Sequence, residues 1–398
     1  KPRDSRIYSD YNVSGLMPTA TWNPVNGNYD LDLRIKRERR LEARFGGMFS
    51  SRPINTGLVG LRYNFFGRSS SRADALAYFG KFYSAGQLKM RTDLSTHVPI
   101  FLEPVATLHR WDYFSSFATL FDEVRPSYII LRELWGGLNT GMSVGNKGLA
   151  RLDIKYGQNK DQYYQTADFS AKDTADVTEF FHFTSGLSLE RNNLNRKQHP
   201  NAGEWFKAEV RYVSGEEHTL PGTTYKSRAP LEQRHEWLQA KVTLDKYFLP
   251  RGKFKFGFLL EGLYSGYPFF MNYTASIIRA PVFQPTPESK TYFLENFRAS
   301  QYLAGGARAI IAVAKNKLDL RLEGYMFQPY KAILRSDVDL AQEGAAVSDR
   351  TYLASGSLIY QSPIGPIWFN TSYFDGLDKP WAFSLNFGYV IFAQRSLE

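Results

Sequence analysis

Read from its C-terminal end, the sequence alternates apolar and polar residues with a period of two, segment after segment. In Phe383-Ser384-Leu385-Asn386-Phe387-Gly388-Tyr389-Val390-Ile391 every odd position is large and apolar, and the even ones are mostly small or polar. Successive side chains of a strand point to opposite faces, so this segment has one greasy face and one that is not. Leu318-Asp319-Leu320-Arg321-Leu322-Glu323 repeats the pattern with full charges on the second face, as do 254–258, 150–156, 206–212 and 238–245. Sixteen such strands are predicted, over 41–51, 57–66, 73–84, 87–97, 100–112, 129–143, 148–158, 178–192, 204–214, 236–248, 253–265, 303–313, 317–327, 351–361, 366–374 and 381–392.

Two structures suit strands of this kind. A soluble sandwich turns the apolar face inward, whereas a transmembrane barrel turns it to lipid and encloses the charged face in a wet lumen. The segments run to roughly nine to twelve residues, the length a tilted strand needs to cross a bilayer. Their apolar faces are rich in Phe and Tyr and often end in an aromatic, such as Tyr212, Tyr264 and Tyr373, as interfacial girdles do. Short turns at 145–148, 249–252, 314–317 and 362–366 alternate with long polar connections near 113–127, 158–177, 215–235, 266–302 and 328–350. That alternation is the barrel's signature of tight periplasmic turns and extended outer loops. The barrel is the better reading.

The first forty residues differ. Asn28 to Lys36 forms a strand pattern of its own after a run rich in Pro, Gly and Asn from Pro18 to Asn28, and it reads as the last strand of a small periplasmic domain. Lys1-Pro2-Arg3-Asp4 has neither an initiating Met nor an apolar signal segment, so the sequence reads as a fragment or a processed chain.

Composition narrows the chemistry. The 398 residues include no cysteine, which removes disulfides, thiolate metal sites and cysteine nucleophiles. Aromatics reach 16 % while mean hydropathy stays at −0.38, a pairing that fits strands with one lipid face and one wet face. No stretch reaches 18 consecutive apolar residues, so no membrane helix is predicted. The net charge of +10 is spread along the chain and does not argue for nucleic acid. Six histidines (His97, His109, His182, His199, His218, His235) show no ligand spacing, so neither a metal nor a cofactor is expected. Gly141-Met142-Ser143-Val144-Gly145 matches a nucleophile elbow and Asp375-Gly376 the Asp-Gly of a Ser-Asp dyad. An elbow needs a strand-to-helix turn, and Ser143 instead ends a predicted barrel strand, so both are chance matches. Mixed charges on the second faces, such as Arg151, Asp153, Lys207, Glu209, Arg211, Lys241, Lys255 and Glu261, are expected to cross-pair and fill the barrel.

Three stretches carry a resemblance. Tyr29 to Glu38 is similar to a junction between a POTRA domain and a barrel, and Ser362-Pro363-Ile364-Gly365-Pro366 to the turn before the last two strands. Asn296-Phe297-Arg298-Ala299 stands where the sixth loop carries an aliphatic-Arg-Gly-aromatic motif, with Phe297, Ala299 and Ser300 departing from it. In these the chain resembles the bacterial surface antigen superfamily of outer-membrane barrels, which includes barrel-assembly and two-partner-secretion transporters. Within it, Phe283 to Lys290 and the ending Phe383 to Phe392 look most like the barrels of Bacteroidetes-type patatin-like phospholipases.

The resemblance implies an all-β protein. Residues 1–39 would be the remnant of a POTRA-like α+β domain and 40–398 a sixteen-stranded antiparallel transmembrane barrel. It implies an outer-membrane location with the N-terminus in the periplasm. Implied partners are outer-membrane lipid and lipopolysaccharide, a periplasmic domain upstream in the same chain, and outer-membrane assembly proteins. On this reading the barrel anchors or exports a patatin-like lipid acyl hydrolase that lies upstream, and the chain has no active site of its own. The alternative is a factor for outer-membrane protein assembly or secretion, as a subunit of a larger complex, working at the seam between the first and last strands. A diffusion porin ranks below both. The resemblance also implies that the sixth loop folds into the lumen as a structural or gating element. There Phe297 and Arg298 form its tip, and Arg298 is expected to pair with Glu323, which shares a charged strand face with Asp319 and Arg321.

Overall fold

The computed structural model describes residues 13–398 except 38–39, 67–68, 95, 115–126, 146, 167–168, 171, 227–229, 249–251, 315–316 and 378. It opens with a hairpin, β1 (Val13–Asn23) and β2 (Asn28–Arg37), closed by a turn with Gly27 at φ +64°. The Pro/Gly/Asn-rich run therefore contains the end of a strand as well as a turn. Its Thr19-Ala20-Thr21-Trp22 stretch has β-branched and aromatic content that favours a strand, and it pairs with Asp32 to Tyr29 opposite.

Sixteen strands then close into one antiparallel barrel. They are β3 (Leu41–Ser50), β4 (Thr56–Phe66), β5 (Ser70–Gly80), β6 (Tyr83–Leu94), β7 (Ile100–Phe114), β8 (Ser127–Val144), β9 (Gly148–Tyr163) and β10 (Asp176–Asn192). The second half has β11 (Glu204–Leu220), β12 (Leu231–Phe248), β13 (Phe254–Ser265), β14 (Gln301–Ala314) and β15 (Leu318–Pro329). After an inserted hairpin of β16 (Lys331–Arg335) and β17 (Ala341–Ala346), it ends with β18 (Thr351–Ser362), β19 (Gly365–Phe374) and β20 (Trp381–Gly388). Each of the sixteen expected strands is present. The middle ones run on beyond the expected limits at the long-loop end, where β11 reaches Leu220 and β12 starts at Leu231.

The faces are inverted relative to a soluble sandwich. Along β8, Leu134 is 61 % exposed and Leu138 44 %, while Trp135 and Asn139, each next in sequence to one of them, are 2 % and 3 % exposed. The same order recurs around the barrel: Phe45, Leu61, Leu88, Leu108, Ile154, Leu187, Val242, Leu260, Leu322, Leu358 and Phe369 point outward. Asp153, Arg211, Asp245, Arg308, Asp319 and Arg321 point inward and are buried. A continuous apolar exterior of this extent is stable only against hydrocarbon.

The lumen is largely filled, with a polar cavity of about 510 Å³ left between the 193–203 connection, residues 282–290 and the wall of β12 to β15. From the long-loop end the 266–300 connection folds inward, carrying the helix α1 (Tyr273–Arg279). Its Phe270, Ile277, Ile278 and Phe293 pack on inward Trp111, Ile129, Leu131, Phe180 and Trp237 of the wall. Phe283, Leu294 and Phe297 pack on Tyr302, Tyr325, Phe327 and Phe374. From the opposite end, the 193–203 connection crosses to β15 and β19, where the His199 ring meets Trp368 edge-on at 5.1 Å. The last segment, 389–398, also enters the lumen. It was expected to extend the final strand to residue 392, but the strand stops at Gly388, whose φ of +102° turns the chain inward.

Closure between the first and last barrel strands is slight. β20 meets β3 through three residue pairs, Asn386↔Ser50, Phe387↔Phe49 and Gly388↔Met48, against sixteen pairs between β10 and β11. Replacing Leu108, central in the exposed belt, by Arg should lower the stability of the barrel in lipid vesicles by about 2–4 kcal/mol in a urea titration. Val98→Arg, in a turn outside the strands, should change it by less than about 0.5 kcal/mol.

Candidate functional site in the barrel lumen

Two ionic networks hold the inserted segments, and both are built on inward strand positions. The first centres on Glu133 of β8. Its carboxylate accepts from Arg279 Nη1 at 2.9 Å, from Arg395 Nη2 at 3.2 Å and from the Ser396 main-chain N–H at 3.0 Å. Arg279 also clasps Asp161 of β9 through Nε at 2.7 Å and Nη2 at 2.5 Å, a two-pronged contact that fixes orientation as well as distance. Arg279 is the last residue of α1, so this wall carboxylate pair holds the end of the inserted helix. The helix start is set locally. Asn272 is extended at φ −135° and its Oδ1 accepts from Ala275 N–H at 2.8 Å, an N-cap, while its Nδ2 donates to Tyr163 Oη of the wall at 2.8 Å.

The second network joins β12, β14 and β15. Arg308 donates to Asp245 Oδ1 and to Tyr247 Oη, both at 2.6 Å, and lies 3.2 Å from Glu323. Arg321 donates to the same Glu323 at 2.5 Å and to the Pro200 carbonyl at 2.6 Å. Asp319 accepts from Arg196 Nη1 at 2.9 Å and Asn201 Nδ2 at 3.1 Å. Asp319 and Arg321 therefore tie down the 193–203 connection.

Arg298 is buried, and it does not pair with Glu323. Its Nη1 donates to the carbonyls of Ile277, Ile278 and Ala280 at 3.2, 3.1 and 3.0 Å, and its guanidinium lies 4.6 Å from the centre of the Phe293 ring. The reason is the helix end. The last carbonyls of α1 have no partner within the helix, and Arg298 is the donor that folding brings to them. Glu323 already has two arginines. The position is set by a short pairing of the loop's two arms, in which Phe283 N–H donates to Phe297 O at 3.0 Å and Val282 bridges Arg298. Phe297 is fully buried against Phe327, ring centres 5.9 Å apart.

The other expected residues fall as follows. Ser143 is exposed near the turn-end of β8, and Asp375 sits in the β19–β20 turn at the opposite end, so no dyad is assembled. Among the described residues no three His, Asp or Glu side chains converge as metal ligands. Of the mixed wall charges, Arg211 pairs Asp153 at 2.7 Å and Lys241 pairs Glu261 at 2.9 Å, the expected cross-pairing. Glu133, Asp161, Arg279 and Arg395 went unrecognised in the sequence. The first two look like any inward strand charge, and the latter two lie where no period marks a face.

No family profile and no curated protein matches the chain. Solved structures do. BamA from Haemophilus ducreyi lacking POTRA domains 1–3 matches with a TM-score of 0.60 and 13 % identity, over 97 % of this chain and 77 % of that one. CdiB from Acinetobacter baumannii matches with a TM-score of 0.50 and 11 % identity, over 95 % of this chain and 66 % of that one. The chain shares the barrel fold of BamA and CdiB. That likeness carries the architecture, and the lumen contacts above belong to this chain.

Because Arg298 and Glu323 have no partner in common, Arg298→Ala and Glu323→Ala should destabilise the barrel additively, with a coupling below about 0.5 kcal/mol in a double-mutant cycle. Arg308→Ala with Glu323→Ala should be non-additive by more than that, read by urea unfolding in vesicles.

Proposed function

We propose that the chain is the barrel of an outer-membrane protein that assembles or secretes other proteins, and that it works at the β3–β20 seam rather than through its lumen. The observation that carries this is the combination of a filled lumen with a seam of three residue pairs. Beyond those pairs Tyr389 N–H donates to Gly47 O at 2.8 Å at one end, and at the other Ser51 N–H donates to Leu385 O at 2.9 Å and Leu385 N–H to Ser51 Oγ at 3.2 Å, while the Leu41–Gly46 edge has no strand opposite it on that side among the described residues. Unpaired backbone groups at membrane depth are costly, so such an edge favours addition of a strand from another chain. A diffusion porin would need the opposite arrangement, a sealed wall around an open lumen.

On this reading the long loops face outward, and the short turns with β1 and β2 face the periplasm. The hairpin of β1 and β2 is read as part of a POTRA-like domain, and the rest of residues 1–39 lies outside the described residues. Export or anchoring of an upstream patatin-like phospholipase is the second reading. Its support is the sequence resemblance of Phe283–Lys290 and Phe383–Phe392.

The test bridges the seam. The chain has no cysteine, so Phe49→Cys with Phe387→Cys, partners across the seam, can be joined by a short thiol-reactive crosslinker. Bridging should reduce the folded outer-membrane proteins recovered from cells that depend on this chain at least tenfold. A control pair across β18–β19, Leu358→Cys with Phe369→Cys, should leave the yield unchanged. An unaltered yield after bridging the seam overturns the assembly reading. If display of an upstream lipase persists in those cells, the anchor reading takes its place.

A further inference from the structure

The lumen wall presents a row of polar groups that no strand pairing requires and that point at one stretch of main chain. Tyr83 Oη of β6 accepts from the Ala393 N–H at 2.9 Å, and Glu133 Oε2 of β8 accepts from the Ser396 N–H at 3.0 Å. Lys155 Nζ of β9 donates to the carbonyls of Arg395 at 3.2 Å and Ser396 at 3.4 Å, and to a main-chain oxygen of Glu398. Ser396 Oγ donates to Asn159 Oδ1 at 2.9 Å. Two side chains add selectivity. The Phe392 ring stands edge-on to Tyr83 at 4.8 Å and to Phe82 at 6.3 Å, and is tilted against Trp111 at 6.4 Å. The Arg395 guanidinium reaches Glu133 and lies 5.1 Å from the centre of the Trp111 ring.

We propose that this wall, formed by β6 to β9, is a binding site for an extended peptide bearing an aromatic residue followed three and four positions later by arginine and serine. In this structure the chain's own Tyr389–Glu398 segment occupies it.

Three observations support a site rather than ordinary packing. The receptor groups are held in place by partners outside the segment: Tyr83 Oη meets His109 Nδ1 at 3.3 Å, Glu133 is held by Arg279 of α1, and Lys155 lies 5.0 Å from the centre of the Trp135 ring and 3.8 Å from Asp153. Preorganised groups bind without further ordering, which is what favours exchange of one occupant for another. Most contacts are to main-chain N–H and C=O, which every peptide offers. Finally, the segment is not part of the sheet. It leaves at Gly388, where a side chain is excluded both by φ +102° and by the Gly47 carbonyl, 2.1 Å from where a Cβ would stand. Its Tyr389-Val390-Ile391-Phe392 stretch is made of aromatic and β-branched residues that favour strands, and the Leu41–Gly46 edge of β3 beside its exit point lies open, so the segment has somewhere else to go.

The test uses the full chain in lipid nanodiscs and a fluorescent peptide of the Tyr389–Glu398 sequence, read by anisotropy. The tethered segment competes at the millimolar effective concentration typical of a short linker, so the unmodified chain should bind the free peptide weakly. Phe392→Ala with Arg395→Ala in the chain should strengthen binding of the free peptide at least tenfold. Adding Glu133→Gln and Lys155→Met to that background should abolish the gain, and a peptide of scrambled order should not bind. Folding of each variant is checked by heat-modified electrophoresis, and if the paired wall change does not fold, Lys155→Gln alone serves as the wall variant. The proposal is overturned if weakening the tethered segment leaves peptide binding unchanged. Binding that survives the wall substitution, or that the scrambled peptide shares, overturns it equally. None of these readouts depends on assembly or secretion, so the outcome is independent of what the seam does.

Discussion

A backbone surrounded by hydrocarbon has no water to satisfy its N–H and C=O groups, and that constraint organises this molecule. Every strand must be paired on both sides, so the sheet closes on itself into sixteen strands. Once closed, its exterior carries an apolar belt, with outward charges such as Arg110, Lys160 and Arg234 kept to strand ends, and its interior carries the buried charges. The inversion of faces along β8, with leucines outward and Trp135 and Asn139 inward, follows from closure rather than from any preference of those residues for exposure.

Closure creates a second problem, because a ring of inward charges must itself be satisfied. The chain solves it from both ends. The 266–300 connection brings α1 and its terminal Arg279 to Glu133 and Asp161, while Arg298 supplies donors to the carbonyls the helix leaves open. From the other end, the 193–203 connection and the final segment reach Asp319, Arg321 and Glu133. The two-pronged Arg279–Asp161 contact fixes the orientation of α1, and Arg196–Asp319 and Arg395–Glu133 tie the other two insertions to the wall they touch. Glu133 is shared by the helix and the final segment, which makes the two insertions neighbours in energy as well as in space.

The one place where pairing is thin is the seam, and the reason is visible at a single residue. Gly388 turns the chain out of the sheet, so β20 ends opposite Met48 and the lower part of β3 is left without a strand beside it. The interaction lost in the wall reappears in the lumen, as the contacts of Phe392, Arg395 and Ser396. The filled lumen and the short seam are thus two consequences of one turn.

How much of this is legible in the sequence depends on the range of the interaction. The strands are legible, because lipid on one side and protein on the other impose a period of two on every segment regardless of its partner, and the alternation of short and long connections orders them. The end of the last strand is not. Tyr389 to Phe392 is an unbroken run of β-branched and aromatic residues, and such a run suits the end of a strand in lipid as well as a segment packed on an aromatic lumen wall. The hairpin partner β1 is hidden for a similar reason, since a run of Pro, Gly and Asn marks a turn without showing where the strand before it stops. The lumen site is the least legible part. Arg298 is conspicuous beside a strand, yet its acceptors are carbonyls of a helix that exists only once the loop is folded inward, and Glu133 is one inward carboxylate among many. Sequence by itself determined which residues face hydrocarbon, since that choice is made residue by residue against a uniform solvent. Tertiary structure alone decided which charge meets which, because those partners lie far apart along the chain and are chosen by the closing of the ring.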